Sequence, residues 1–391
     1  MPRRGGPGRL ARCCAAALAA LLVLSGCSDA GRRPTSGEEL RIGLLAPLTG
    51  SPMRYTANRA AQALVDRVNA AGGLDLGGRR IPVRLFVEDT AGRIETTMAA
   101  TARLIGQDGV QALVGPYFSR EAIPVAAAAE AAQVLLLTPT ATSPEITRGR
   151  RFAFRACMLD SAQGRALARF AYADLGLRRA AVLYDESDAY SSGLARYFGE
   201  ALRGLDGVRV LAVPYSRGTA DFSAALARIK AFGAQALLLP NFIEDLSRQV
   251  VQARAAGFQG VFLGGDSWDS DRGLHGLPEA QGARFSAEYA AAAAAPEARS
   301  AAEDLVKASG AQLDKNTALT LDSLELLFAA ARRTGAVDAA SLRAGLLALQ
   351  GFSGLTGAIR FDSGGDPSRS LHIMMISGGE LAPVKDIAPE R

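Results

Sequence analysis

Residues 112–142 read ALVGPYFSREAIPVAAAAEAAQVLLLTPTAT. Two short apolar runs, Ala112 to Gly115 and Val134 to Thr138, flank the helix-favouring stretch Glu121 to Ala132. Buried strand, helix and buried strand make a βαβ unit, in which the strands lie parallel and helices cover the sheet. The pattern extends upstream. Leu40 to Ala46 reads as a strand, Thr56 to Ala71 as a helix stopped by Gly72-Gly73, Ile81 to Glu88 as a strand and Ile94 to Gln107 as a helix.

Downstream the series restarts. Helices are expected over Ser161 to Asp174, Ser191 to Arg203, Phe222 to Phe232 and Asp245 to Ala256. Strands are expected over Ala180 to Tyr184, Val208 to Pro214, Ala236 to Leu239 and Val261 to Gly264. Helices near Glu297 to Ser309, Thr317 to Thr334 and Ala339 to Leu349 precede a β-like end, Ala358 to Phe361 and Leu371 to Ile376, while Ala290 to Ala295 suits a helix or a loop surface. Two successive series predict an α/β protein of two doubly wound, parallel-sheet lobes. In such sheets ligands sit beyond the carboxyl ends of the strands. The residues that follow strands are therefore the ones to inspect.

The 391 residues are too many for one ordinary core and suit two. The net charge of +5 does not indicate a polyanion partner, because Arg3, Arg4, Arg9 and Arg12 all precede Cys27 and no acid does. Arginines, the apolar run Ala15 to Leu24 and the small residues before Cys27 have the order of a secretory signal. The run is shorter than the ~20 residues a membrane span needs. Ser28 to Gly37 has the polar, small composition of a tether. Of the four cysteines Cys13 and Cys14 fall within that leader and Cys27 directly follows it, which leaves Cys157 alone in the body of the chain, so no internal disulfide is expected there, and Cys157 reads as a packed apolar residue.

After the strand ending at Gly115 come Tyr117, Phe118 and Ser119 at a helix start. Free amides there favour an anion, and Ser119 adds a hydroxyl or merely caps its own helix. After Thr138 comes the stiff loop Pro139-Thr140-Ala141-Thr142-Ser143-Pro144, a ligand loop or an ordinary turn. Tyr190 and Phe242 follow strands in the second series and suit a cleft wall or a packed interface. Asp266 follows Gly264-Gly265 and is the best partner for a cation, or a turn residue bonding its own backbone. Trp268 is expected to pack near the cleft edge, and Arg120 to protrude into the cleft. Asp185, Glu186 and Asp188 read as a solvated loop, and His275 and His372 lack metal-ligand spacing. Neither a Gly-x-Ser-x-Gly elbow nor a Gly-Lys-[Ser/Thr] phosphate loop occurs, so no catalysis and no cofactor are expected.

Several stretches, each weak alone, recur in one order over more than 300 residues: Arg41-Ile42-Gly43-Leu44-Leu45-Ala46-Pro47-Leu48-Thr49-Gly50, Val68-Asn69-Ala70-Ala71-Gly72-Gly73, Leu159-Asp160-Ser161-Ala162-Gln163-Gly164, Asp221-Phe222-Ser223-Ala224 and Ile359-Arg360-Phe361-Asp362. By these the chain resembles the type I periplasmic binding proteins, in particular the leucine/isoleucine/valine-binding branch. The resemblance implies two lobes joined by three crossovers, residues 39–160 plus 288–355 and residues 161–287 plus 356–391, after a leader at 1–26 and a tether at 27–38. It implies that Ser119 and Thr142 hold a ligand carboxylate, that backbone near Ala141 and the Asp266 carboxylate hold an ammonium, and that Tyr190, Phe242, Tyr117 and Tyr55 line the cleft. Asp266→Ala is then expected to remove amino-acid affinity and leave the fold intact. Leu24-Ser25-Gly26-Cys27 resembles the lipobox of bacterial lipoproteins, implying lipid on Cys27 and anchorage in the periplasm or at the cell surface. The implied partners are a small amino-acid-like ligand and the permease and ATPase subunits of an ABC transporter, or, in a sensor of the same fold, a signalling protein.

Overall fold

Beyond the first two residues, the computed structural model describes residues 39–50, 55–269, 272–289 and 296–388. The leader, Cys27, the tether and Ala290 to Ala295 lie outside the described residues. The first sheet contains β1 (Leu40–Ala46), β2 (Val83–Asp89), β3 (Ala112–Val114), β4 (Leu135–Thr138) and β5 (Ala153–Arg155), all parallel, in the order β2-β1-β3-β4-β5. Helix α1 (Ala57–Ala70) buries Ala57, Ala60, Ala61, Leu64 and Val65, a stripe at helical spacing, against one face. Helices α2 (Ile94–Gly106) and α3 (Ser119–Ala132) cover the other face through Ala100, Leu104, Ala122, Val125, Ala126 and Ala129.

The chain then passes to a second sheet through α4 (Asp160–Arg169). Its strands are β6 (Arg179–Asp185), β7 (Arg209–Tyr215), β8 (Ala236–Leu238), β9 (Val261–Gly264) and β10 (Arg284–Ala287), which run parallel, with β11 (Leu371–Ser377) and β12 (Glu380–Ile387) added antiparallel. The order is β12-β11-β10-β9-β8-β6-β7. One face is covered by α4 and α5 (Ala189–Arg203), the other by α6 (Ser223–Phe232) and α7 (Ile243–Ala255). The chain returns to the first core through α8 (Pro296–Ser309), α9 (Lys315–Thr334) and α10 (Ala339–Ala348).

Both parallel arrangements wind in the same way, with β1 beside β3 and β6 beside β8 at the points where strand order reverses. Ligands of open α/β sheets bind in the crevice at such a point. The buried cores divide along the chain at Cys157/Met158 and at Ala287/Tyr289. Ile359 and Phe361 still pack into the first core, so the third passage falls between Phe361 and Leu371 rather than near residue 355. Strands β5, β10 and β12 were not expected from the sequence. β5 and β10 are short and carry Arg155 and Arg284, which mask the apolar signature of a buried strand. β12 is largely exposed and lacks an alternating apolar face.

The three passages meet at Arg369, whose side chain is 2 % exposed. Arg369 lies in the third passage, and its guanidinium donates to the carbonyls of Ala156 in the first passage, Glu288 in the second and Thr356 of the first lobe. The Glu288 carboxylate lies 3.5 Å from Arg369 and accepts from the Met158 amide at 2.8 Å. Burial pushes the Glu288 carboxyl up to about 7, against the pull of Arg369.

Candidate functional site

The carboxyl ends of the two sheets face one another across a closed cleft. Its inner cavity is lined from the first lobe by Tyr55, Tyr117, Phe118, Ser119, Thr140, Thr142, Lys315 and Asn316, and from the second by Tyr190, Phe242, Asp266 and Ser267. Seven of the eight ligand residues proposed from the sequence therefore share one hollow. Ala141 does not line it. Its carbonyl is turned inward and accepts from Arg155 Nη1 at 3.3 Å, Cys157 Sγ at 3.2 Å and Thr138 Oγ1 at 3.4 Å.

The strand-to-helix turn before α3 places Ser119. Gly115 has φ +94°, and a Cβ there would lie 2.1 Å from the Leu45 carbonyl oxygen, so only glycine lets β3 turn this closely beside β1. Ser119 does not cap α3: Phe118 holds the cap position, and Ser119 Oγ accepts from the Ser143 amide at 3.2 Å. That leaves the hydroxyl proton available at a helix N-terminus, where amides and dipole favour an anion. In the next loop Thr140 Oγ1 donates to the Tyr117 carbonyl at 2.9 Å, while the buried Thr142 hydroxyl sits beside the Asp160 carboxyl. The neighbouring Asp160 carboxyl is also buried, and burial pushes it well above the usual carboxylate range, partly offset by Thr142.

The second lobe supplies an aromatic wall. Tyr190 and Phe242 rings lie 5.2 Å apart, and Tyr190 Oη donates to Ser267 Oγ at 3.1 Å. A Cβ on Gly265 would come within 2.2 Å of Tyr190 Oη, so this glycine is what lets the phenol reach its partner. Phe118 crosses from the first lobe to meet Phe242 edge-on at 5.2 Å. Trp268 is fully buried, donates its indole N–H to the Leu239 carbonyl at 2.9 Å and does not line the cavity. His275 and His372 do not line it either.

Asp266 does not bond its own backbone through its side chain. Its Oδ1 accepts from Gln163 Nε2 at 3.1 Å and its Oδ2 from Lys315 Nζ at 2.8 Å. The same ammonium donates to the Asp266 carbonyl at 2.7 Å. Both side chains of the pair are 5 % exposed. Burial opposes the charge on Lys315, but Asp266, Asp269 and Glu288 outweigh it and raise its pKa above the ordinary lysine value. Lys315 and Asn316 open α9, whose N-cap Asp314 accepts from the Thr317 amide at 2.8 Å. These two residues, with Phe118, Thr140 and Ser267, were missed in the sequence. The available signal was compositional: only four of the 44 basic residues are lysine, and one of them sits at this helix start.

At the mouth, Arg120 lies over Phe118 at 4.3 Å and bonds Asp188 Oδ2 of the second lobe at 3.1 Å. Asp185 and Asp188 are buried and paired with Arg217, and Asp188 also caps α5, so they are not the solvated loop expected. Arg120 thus bridges the lobes. Arg120→Ala is expected to quicken ligand release about fivefold, for the loss of roughly 1 kcal/mol from a part-exposed pair and ring contact. Stopped-flow displacement measures this, and an unchanged release rate would remove Arg120 from the closure.

The family model described as "Periplasmic binding protein" matches residues 39–380. The chain is 30% identical over 312 residues to Leu/Ile/Val-binding protein homolog 3 of Brucella melitensis, covering 77% of this chain and 80% of that one. It is similar in structure to a leucine-binding protein of Thermotoga maritima, with TM-score 0.81, 29% identity, and coverage of 90% of this chain and 99% of that one. It is also similar to the branched-chain amino acid transporter substrate-binding protein of Streptococcus pneumoniae solved with isoleucine, with TM-score 0.79, 25% identity, and coverage of 90% and 100%.

Proposed function

The chain belongs to the periplasmic binding protein family, and on that premise we propose that it is the extracytoplasmic substrate-binding component of an ABC transporter. Its guest is a small carboxylate-bearing solute, the class to which branched-chain amino acids belong. The two lobes hinge about the Arg369 junction and close over it. The observation that carries this reading is the juxtaposition of Ser119, Thr142 and the α3 N-terminus with the aromatic wall of the opposite lobe. Hydroxyls and helix amides are donors for a carboxylate, and contacts to both lobes favour the closed state.

Three or four charge-assisted bonds of about 1.5–3 kcal/mol each support micromolar binding, about −8 kcal/mol, after ordering costs. Permease and ATPase subunits are the implied partners. The Leu-Ser-Gly-Cys sequence supports acylation of Cys27 and attachment to a membrane.

Ser119→Ala tests the reading. Loss of one such bond is expected to weaken binding about ten- to a hundredfold. Calorimetric titration with the best solute from a thermal-shift screen measures it. Unchanged affinity would put the guest's carboxylate elsewhere.

A further inference from the structure

The class of guest can be narrowed by counting donors and acceptors in the cleft, an argument that rests on the cleft reading above. An α-amino acid brings a carboxylate that needs donors and an ammonium that needs acceptors, and burying either charge unpaired is costly. Donors are plentiful: the Ser119 and Thr142 hydroxyls, the first-turn amides of α3 and the Lys315 ammonium all border the cavity. The strong acceptors are already engaged. Each Asp266 carboxylate oxygen has a protein donor, Gln163 on one and Lys315 on the other, and the Asp266 carbonyl also accepts from Lys315. The Ala141 carbonyl accepts from Arg155, Cys157 and Thr138. Ser119 Oγ accepts from Ser143. Besides these, the described lining offers an added cation the Asn316 side-chain amide, neutral hydroxyls and ring faces, and no unpaired carboxylate.

Lys315 reaches Asp266 across the cleft. Its helix α9 packs in the first core, whereas Asp266 follows β9 of the second sheet. A protein ammonium thus sits on the carboxylate that would otherwise meet the ammonium of a guest. To take that place, a guest ammonium would have to displace Lys315, whose side chain is 5 % exposed in the closed cleft. The Asp266–Lys315 pair is neutral as a unit, so a guest carboxylate meets donors with no unpaired acid among the residues that line the cavity. Tyr55, Tyr117, Phe118, Tyr190 and Phe242 surround the remaining space and suit a flat or branched apolar body.

We propose that Lys315 is a built-in counter-cation for Asp266, and that the cleft therefore selects small carboxylic acids without an ammonium group, such as 2-oxo acids and aryl carboxylates, over α-amino acids. Calorimetry with leucine, with 4-methyl-2-oxopentanoate (the same carbon skeleton with oxo in place of ammonium) and with benzoate tests this. One of the two acids is expected to bind at least about tenfold more tightly than leucine. In Lys315→Met the order should reverse, because Asp266 is then released for a ligand ammonium. The ratio in the unmodified protein decides the matter even if the variant folds poorly, which its melting curve reveals. Leucine binding as tightly as both acids, with that binding weakened by Ser119→Ala, would overturn this inference and leave the cleft reading in place. Absence of heat with all three, or binding indifferent to Ser119→Ala, would overturn the cleft reading and this inference with it.

Discussion

Asp266→Ala is expected to weaken ligand binding by about a hundredfold or more while leaving the melting temperature of the ligand-free protein nearly unchanged. The reason is the partner it abandons. In the closed cleft Lys315 Nζ makes its two described hydrogen bonds to Asp266, one to the side chain and one to the backbone. Removing one member of a buried pair leaves an uncompensated charge, typically 3–5 kcal/mol. Here the two members belong to different lobes, so opening the cleft returns the ammonium to water, and the penalty falls on closure rather than on folding. Closure supplies the contacts to both sides of the guest, and affinity falls with it. Small-angle scattering should show a variant that stays expanded at ligand concentrations that compact the original protein. Compaction and affinity equal to the original would sink the argument. The sequence suggested the same loss for another reason, that Asp266 waits for a ligand cation. The structure gives that cation a residue number.

Arg369→Ala is expected to lower stability by about 3–5 kcal/mol, because its guanidinium ties together all three passages between the lobes and faces a buried acid. For a chain of this size that corresponds to a fall in melting temperature on the order of 10 °C. Arg369→Lys should recover little of it, since a point charge cannot satisfy three carbonyls at the angles a planar fork reaches. Thermal unfolding followed by circular dichroism checks both variants. A shift under about 2 °C for the alanine variant would show that the junction is held by other contacts. The contrast with Asp266→Ala is the informative part, because one change loosens the joint and the other prevents the jaws from meeting.

Much of the molecule was legible before any coordinates. Short runs such as Leu135–Thr138 and Ala236–Leu238 are buried along their whole length, and that shows in sequence as uninterrupted apolar residues between helices of clear period. Because the strands are parallel, the loops at their carboxyl ends could be named in advance, and Ser119, Thr142, Tyr190, Phe242 and Asp266 came from those loops. Ser119 and Thr142 left a choice between ligand and local turn. Local sequence cannot settle such a choice, since it depends on whether Ser143 or a helix amide takes the hydroxyl oxygen.

The amino-acid order by itself determined the alternation of strand and helix, its restart after Cys157, and which loops would gather at the sheet edges, because those properties come from burial patterns within a few residues of one another. The partner of Asp266 was decided only by tertiary structure. Lys315 lies 49 residues away on a helix that returns to the other lobe, and its sequence, Asp314-Lys315-Asn316-Thr317, reads as a solvent-facing helix start. Only the third dimension turns that start into the cleft, where desolvation makes the choice of counter-ion a choice of ligand.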